Sequence, residues 1–534
     1  MSHEPRPLSV VQAGALMVSA LFLSRLLGLL RDTVISAQFG LNIHTDAYRA
    51  AFIIPDLLFF LLAGGALSSA FLPVFGRYWT EGKQEEAWSL FSTVATLMSA
   101  VLIILISVAE ILAPTLVPVF APGLAKEVLP ETIAMSRILL PAQFAFFLGG
   151  LMFATLNARK HFLTPGLAPN VYNLGIIFGA LILSSYSTPP IHGLAWGALF
   201  GAIIGNFLIP LFVMGKFGAR YRISFDCKHE GVRRVFQMMV PVLFGLSLPG
   251  IYAIAVRGFG SLHGEGAISA LEIGNRIMQA PLGVFGQAIA IAVFPTLVTL
   301  FAKNEPAQFV RTMSRTLRTS IFIGIYASVT LFVMAEDVVR VLNQYGRFTQ
   351  ENTEYVTSCL RLYSIGVFAW CAHPVLMRAY FAMEDTLTPI ILGSIATVFF
   401  LALCFLIGIP PFPYEGLALA VSLSAISLLI LMLWGLKRKL TQIDTPIILR
   451  SVFLSLIAGI LTGAAVKAFA LIIPTPPGLA ANAVSFLRVA ILGVGGVWLY
   501  LWMGRLFKLE EAHFTLKALM RPPSAPVNPP DPSR

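Results

Sequence analysis

Apolar runs of at least 18 residues, broken by short polar segments, recur along this chain from one end to the other, and each is long enough to cross about 30 Å of hydrocarbon. The pattern predicts fourteen spans, at about 9–37, 47–78, 87–113, 132–157, 163–186, 193–215, 231–257, 267–301, 309–335, 354–381, 387–409, 415–436, 447–473 and 481–504. Composition agrees with the pattern. Of 534 residues, 57% are hydrophobic and 12% charged, with a mean hydropathy of +0.81, whereas a soluble chain carries about twice that charged fraction. The reading is an all-α polytopic membrane protein. Arg25 and Arg31 interrupt the first run, no small-x-small exit follows it, and many similar runs come after, so it is expected to be a span and not a cleaved signal peptide.

Charge sets the expected orientation. Lys and Arg crowd the loops on the amino-terminal side, for example Lys216, Arg220, Arg222, Arg233 and Arg234, then Lys437, Arg438 and Lys439. The opposite loops carry Arg49, Lys126, Arg257, Arg340, Arg347 and Arg361. Positive-inside then puts both termini in the cytoplasm, and an even number of spans follows. The net charge of +11 reports this topology and calls for no nucleic acid.

Three motifs recur at one spacing. Ser24 to Gly28 aligns with Ser247 to Gly250, Pro73 with Pro295 after similar apolar residues, and Leu163-Thr-Pro165 with Leu387-Thr-Pro389, at offsets of 223, 222 and 224. Spans 1–6 and 7–12 therefore read as two copies of a six-helix unit in the same orientation, a transporter design with the substrate between halves and alternating access by rocking. The expected domains are an amino-terminal lobe at 1–222, a carboxy-terminal lobe at 223–440 and an appended helix pair at 441–505. An amphipathic helix and a Pro-rich disordered tail follow at 506–534. Pro55, Gly64, Gly65, Pro73, Pro169, Pro241, Pro249, Pro281, Pro295 and Pro374 suit bent helices, as gating hinges or for packing.

The candidate chemistry is cationic. An arginine inside a span costs roughly 2.5–3.5 kcal/mol on insertion scales, so it normally faces water or a partner. A helix entering near residue 9 reaches Arg25 after about 24 Å and Arg31 after about 33 Å, while Arg276 lies about 14 Å below the outer end of span 8. The three suggest one anionic site at the outer apex of a cavity. Arg25 and Arg31 stand about 240° apart on an ideal helix, so they share a face only if span 1 bends, and Gly28 marks the place. Arginine stays charged, and its planar fork pairs bidentately with phosphate. Asp32 stands beside Arg31 either to hold it or to latch an outer gate. The competing reading of the trio is structural ion pairs or side chains snorkelling to the interface; snorkelling is the expectation for most of Arg137, Arg378, Lys467 and Arg488.

Other chemistry is excluded or quiet. Cys227, Cys359, Cys371 and Cys404 form neither a disulfide framework nor a metal-ligand spacing, and His44, His161, His192 and His263 read as loop residues. No Walker A, HExxH or GxSxG motif or catalytic carboxylate pair occurs, which leaves an ATP-driven pump or membrane hydrolase without support. No enzyme, cofactor or metal is expected.

Several stretches together resemble the MurJ/MviN lipid II flippases. They are Ser24 to Asp32, Thr45-Asp-Ala47, Phe52 to Asp56, Gly64 to Ser68 with Phe71 to Pro73, Pro169-Asn170 with Asn173, Gln344 to Gly346 with Phe348-Thr349, and Asp385-Thr with Thr388-Pro389. The resemblance implies the MOP exporter fold and export of the undecaprenyl-diphosphate-linked peptidoglycan precursor across the bacterial plasma membrane. It implies substrate-binding roles for Arg25, Arg31 and Arg276, and supporting roles for Asp32, Asp46, Ser24, Gly28 and Asn275. Spans 13 and 14 would carry the lipid tail. Two departures stand out. Phe59, Phe60 and Gly64 occupy positions where some relatives carry two arginines and an acid, and spans 7 and 11 lack the Asp and Asn of a sodium site. Coupling to the membrane potential, about 2.3 kcal/mol per charge per 100 mV, remains open. The expected partners are lipid II and membrane lipids, with the protein acting as a monomer and association with cell-wall synthesis machinery left open. Two alternatives stay open: a flippase for another polyprenyl-linked glycan of O-antigen or capsule type, and a cation-driven multidrug exporter, which would require intramembrane carboxylates. The duplication argues against a non-transporting scaffold.

Overall fold

The computed structural model describes residues 10–61, 66–440, 443–472 and 480–520, without the side chains of 10–18, 21, 22, 61, 66, 240–249, 480 and 518–520. Gly64, Gly65 and the tail from Pro522 lie outside the described residues, and of Pro241, Ser247 and Pro249 only helical backbone is described. In chain order the α-helices are α1 (Val10–Phe39), α2 (Ile43–Ala50), α3 (Ile53–Leu61), α4 (Ala66–Thr80), α5 (Gln84–Phe120), α6 (Leu129–Leu139), α7 (Ala142–Ala158), α8 (Leu163–Leu181), α9 (His192–Ala202), α10 (Ile209–Lys216) and α11 (Glu230–Gly260). There follow α12 (Ala267–Pro281), α13 (Gln287–Ala302), α14 (Pro306–Val333), α15 (Ala335–Asn343), α16 (Gln350–Ser364), α17 (Val367–Ala382), α18 (Leu387–Ile407), α19 (Glu415–Lys439), α20 (Thr445–Ile472), α21 (Ala480–Leu506) and α22 (Glu510–Met520).

Among the described residues nine helices are long and apolar enough to cross a membrane, or ten if α16 and α17, bent by 45°, form one span. These coincide with ten of the expected fourteen. The other four expected spans fall on α1, on α2 to α4, on α8 and on α11. A π-helical turn at Leu282–Gly286 follows Pro281, which removes a ladder hydrogen bond where α12 gives way to α13. By contrast α1 runs as one continuous α-helix through Gly28, the position at which span 1 could bend.

The repeat spacing reappears in the backbone. Gly82 and Asn304, 222 positions apart, both take a left-handed conformation, with φ of 76° and 54°. Lys160 and Glu384, 224 apart, do the same at 62° and 58°. The residue after each of the latter two then opens a helix: a His161 ring nitrogen meets the Thr164 hydroxyl at 3.0 Å, and the Thr388 amide donates to Asp385 Oδ1 at 3.1 Å.

The chain divides into two compact units. The first comprises Met1–Ile273, Leu342–Val356 and Leu401–Leu417, the second Gly274–Val341, Thr357–Phe400 and Ala418–Arg534. In the first unit, Ile35, Phe39, Tyr48, Met135, Ile176 and Leu194 gather α1, α2, α6, α8 and α9 around one apolar core. Glycines let α8 and α9 approach closely. A Cβ at Gly175 or Gly179 would meet the backbone of α9, and one at Gly197 the backbone of α8, the small-residue packing that membrane helices use in place of a hydrophobic driving force. The second unit is built around α14, α17 and α20, with Phe322 stacked on Tyr500 at 4.4 Å. The expected amphipathic helix is α22, and its Ala512 and Leu516, with Leu509 just before it, join this same core.

Candidate functional site

Two polar clusters lie among the apolar helices of the first unit. The smaller is centred on Arg31. Its Nε and Nη2 donate to Asp32 Oδ1 at 3.2 and 3.1 Å, and its Nη1 donates to Asn173 Oδ1 at 3.0 Å. Asn173, on α8, also donates from Nδ2 to the Ser24 carbonyl at 3.3 Å, about two turns before Arg31 on α1. The structure thus brings together Ser24, Arg31 and Asp32, three residues singled out in the sequence. A guanidinium has five N–H donors. The pairings among the described residues engage three of Arg31's, which leaves one on each terminal nitrogen, the pair that can fork onto a phosphate. Asp32 is buried while Arg31 is half-buried.

The larger cluster joins α2 and α3 to α11 and α12. Asp46 accepts from the backbone N–H groups of Gly266 (2.7 Å) and Ser269 (2.8 Å), at the start of α12. The first N–H groups of a helix lack intrahelical partners and carry partial positive charge, so a carboxylate belongs there. Arg49 pairs with Glu272 at 2.7 Å and donates to Ser269 Oγ at 3.1 Å. Arg257 bridges Glu272 and Asp56, each at 2.5 Å. Three carboxylates are thereby answered by two guanidiniums and one helix terminus. Arg49 to Glu272 and Asp46 to Ser269 both span 223 positions, the offset of the duplication. Equivalent residues of two copies related by an axis meet where that axis passes, so this cluster marks the meeting line of the repeats.

Arg25 is exposed, and among the described residues it takes no part in the Arg31 set. A Cβ at Gly28 would meet nothing within 4 Å. Arg276 is half-buried, one turn beyond Glu272 on α12, and belongs to the second unit. Beside it Asn275 accepts a hydrogen bond from Gln279 at 3.4 Å.

Arg49 and Arg257 were read from the sequence as loop cations, yet they are helical and well shielded, with side chains 6% and 13% exposed. The signal that would have found them is Asp56 and Glu272, two acids in apolar stretches that needed basic partners. In the second unit Arg488, expected to snorkel, is buried instead and pairs with Asp337 at 3.2 Å, while Ser485 donates to the same carboxylate oxygen at 2.7 Å. Near α22, Arg318 reaches Glu511 at 2.9 Å and Glu510 at 3.1 Å, and Ser451 of α20 donates to Glu511 at 3.0 Å. Among the described residues no group of three or more His, Cys, Asp or Glu is arranged to hold a metal ion.

Outside the spans, partial burial acts to raise the Asp385 carboxyl, but Lys439 at 2.6 Å and the Thr388 amide outweigh it and hold it below the usual range. Burial lowers His161, and neighbouring Arg159 adds to the effect.

The fold is that of solved transporters. It is similar to a lipid II flippase MurJ structure in an inward closed conformation, with TM-score 0.76 and 23% identity over 95% of this chain and 100% of that one. It is also similar to an inward-facing multidrug resistance MATE family transporter, with TM-score 0.67 and 14% identity over 81% of this chain and 99% of that one. Among the described residues the fold is therefore the all-helical one that these transporters share. The family model described as lipid II flippase MurJ matches residues 35–480, and the chain belongs to that family. Similar relatives include the probable lipid II flippase MurJ of Buchnera aphidicola, 29% identical over 440 residues (82% of this chain, 84% of the relative). The lipid II flippase MurJ of Burkholderia cenocepacia is 27% identical over 423 residues (78% and 82%). The probable lipid II flippase MurJ of Thermotoga maritima is 25% identical over 498 residues (93% and 96%).

Proposed function

We propose that this protein is a lipid II flippase of a bacterial plasma membrane, moving the undecaprenyl-diphosphate-linked peptidoglycan precursor to the outer leaflet by alternating access. Membership of the family supports the substrate. The observation that carries the mechanism is Arg31, held on a membrane helix by Asp32 and Asn173 with a donor left on each terminal nitrogen. In this reading Arg31, Arg25 and Arg276 take the diphosphate, with Ser24, Gly28 and Asn275 in support, and the Asp46–Arg49–Glu272–Arg257 cluster is made in one state and parted in another. The lobes 1–222 and 223–440 rock about it. The pair at 441–505 carries the lipid tail. Both termini are cytoplasmic, the protein works as a monomer, and an outside-positive potential favours export of the anionic head.

The acids argue against a cationic-drug exporter. Asp32, Asp46, Asp56 and Glu272 are all engaged by arginines or backbone N–H groups, so they do not offer the free intramembrane carboxylates that such a substrate requires. The test is growth rescue. In a host depleted of its own flippase, the parent chain is expected to restore growth, and Arg31→Ala and Arg276→Ala to fail at matched membrane levels. Full rescue by both variants would remove the diphosphate assignment.

A further inference from the structure

The proposed diphosphate site leaves Asn173 without an assigned role. Its amide makes two contacts in opposite senses. The carbonyl oxygen accepts from Arg31 Nη1 at 3.0 Å, and the NH2 group donates to the Ser24 carbonyl at 3.3 Å. Asn173 is itself buried, 7% exposed, on a helix whose place is fixed by the glycine contacts between α8 and α9. Asp32 cannot orient the guanidinium alone, because both hydrogen bonds that Arg31 gives it fall on one oxygen, Oδ1, and leave the group free to pivot about that atom. A third contact on the remaining nitrogen, from a different helix, stops that pivot.

The repeat supplies a comparison within the chain. At the offsets of 223 and 224, Arg31, Asp32 and Asn173 correspond to Ile254, Ala255 and Thr397. Thr397 satisfies its hydroxyl locally, on the Gly393 carbonyl of its own helix at 2.8 Å. The triad is therefore a property of the first copy alone. A polar pin that served only to pack the repeated six-helix unit would be expected in both.

We infer that Asn173 is a positioning residue that fixes the plane of the Arg31 guanidinium, aiming its two remaining N–H groups at the diphosphate of the lipid substrate. The inference rests on the diphosphate reading of Arg31. Charge-assisted hydrogen bonds are strong and directional, and a fork that wobbles loses bidentate pairing while it keeps its charge. Loss of Asn173 therefore weakens a two-oxygen contact more than simple attraction to an anion.

The test uses the full chain, purified, with lipid II and undecaprenyl monophosphate as probes, their binding read by native mass spectrometry. Parent, Arg31→Ala, Asn173→Ala and the double variant are compared. Asn173→Thr, which installs the second copy's residue, stands in should the alanine variant not fold. Asn173→Ala is expected to bind lipid II about tenfold more weakly, the scale of one hydrogen bond to a charged group, with monophosphate binding changed less than threefold. In the Arg31→Ala background the Asn173 change should add little. If Arg31→Ala leaves lipid II binding intact, the diphosphate reading itself falls. If Arg31→Ala weakens binding but Asn173→Ala does not, or its effect persists undiminished without Arg31, the positioning role falls while that reading stands.

Discussion

Glu272 is the acid on which the larger cluster depends, and Glu272→Gln removes its charge while keeping its size. Two buried guanidiniums then lose their common anion. Arg257 retains Asp56, whereas among the described residues Arg49 retains only the Ser269 hydroxyl, at 3.1 Å. Removing one member of a buried ion pair costs about 3–5 kcal/mol. The glutamine oxygen still accepts one hydrogen bond, which places this variant near 3 kcal/mol. An unfolding entropy of about 2.1 cal/mol/K per residue makes 534 residues worth ~1.1 kcal/mol/K, so Tm should fall by about 3 °C. Intrinsic tryptophan fluorescence during a thermal ramp of the detergent-purified protein reads this. The decisive arm is Glu272→Gln with Arg49→Gln, which removes one charge of each sign and leaves Arg257 and Asp56 matched one to one. That double variant should regain at least half of the lost stability. A single variant within 1 °C of the parent, or a double variant as damaged as the sum of its parts, would refute the assignment of this cluster as a mutually compensating set.

Further expectations concern other parts of the molecule. Arg318→Ala strips Glu511 of its guanidinium and leaves a carboxylate only 1% exposed with the Ser451 hydroxyl. The α22 helix should loosen, and limited trypsin digestion should cut at Lys508 or Lys517 faster than in the parent; unchanged cleavage would mean that α22 is held by its apolar face alone. Asp385→Ala removes both a helix cap, about 1 kcal/mol, and a half-exposed bridge to Lys439 worth at most about 1 kcal/mol after screening. Because the folded carboxyl sits below its unfolded range, this contribution is complete above about pH 4 and is lost as pH falls through the folded value. The variant and the parent should therefore converge in Tm only at strongly acid pH, and a gap that persists there would contradict the linkage. Gly197→Val drives a branched side chain into the backbone of α8; it should lower the yield of folded protein in size-exclusion profiles, and a normal profile would show that the helices can separate at little cost.

Much of this architecture is legible along the chain because the bilayer imposes it. Length and apolarity decide which stretches span, and the offsets of Ser24, Pro73 and Leu163 from their counterparts expose the duplication that the backbone repeats at Gly82 and Lys160. Arg31, Asp32 and Asp46 are legible too, since charge within or beside an apolar run needs a partner. What the linear pattern lacks is the partner's identity. Arg49 and Arg257 sit at the ends of their runs, so a topology rule that sorts cations by loop files them as surface charges; their burial is decided by Glu272, 223 positions from Arg49. Arg488 misleads for the same reason, because snorkelling and pairing with Asp337 look alike until the neighbouring helix is in place. Gly28 is a case of the same kind: a glycine permits a bend without requiring one, and α1 is one continuous α-helix through it.

The claim on which the functional account turns is that these arginines recognise a lipid-borne diphosphate. Native mass spectrometry of the protein as extracted from bacterial membranes addresses it most directly, by comparing bound lipid in the parent, Arg31→Ala and Arg276→Ala. The expected result is co-purified lipid II on the parent and at least a tenfold loss on each variant, with ordinary phospholipid adducts unchanged. Equal lipid II occupancy on all three proteins would contradict the account.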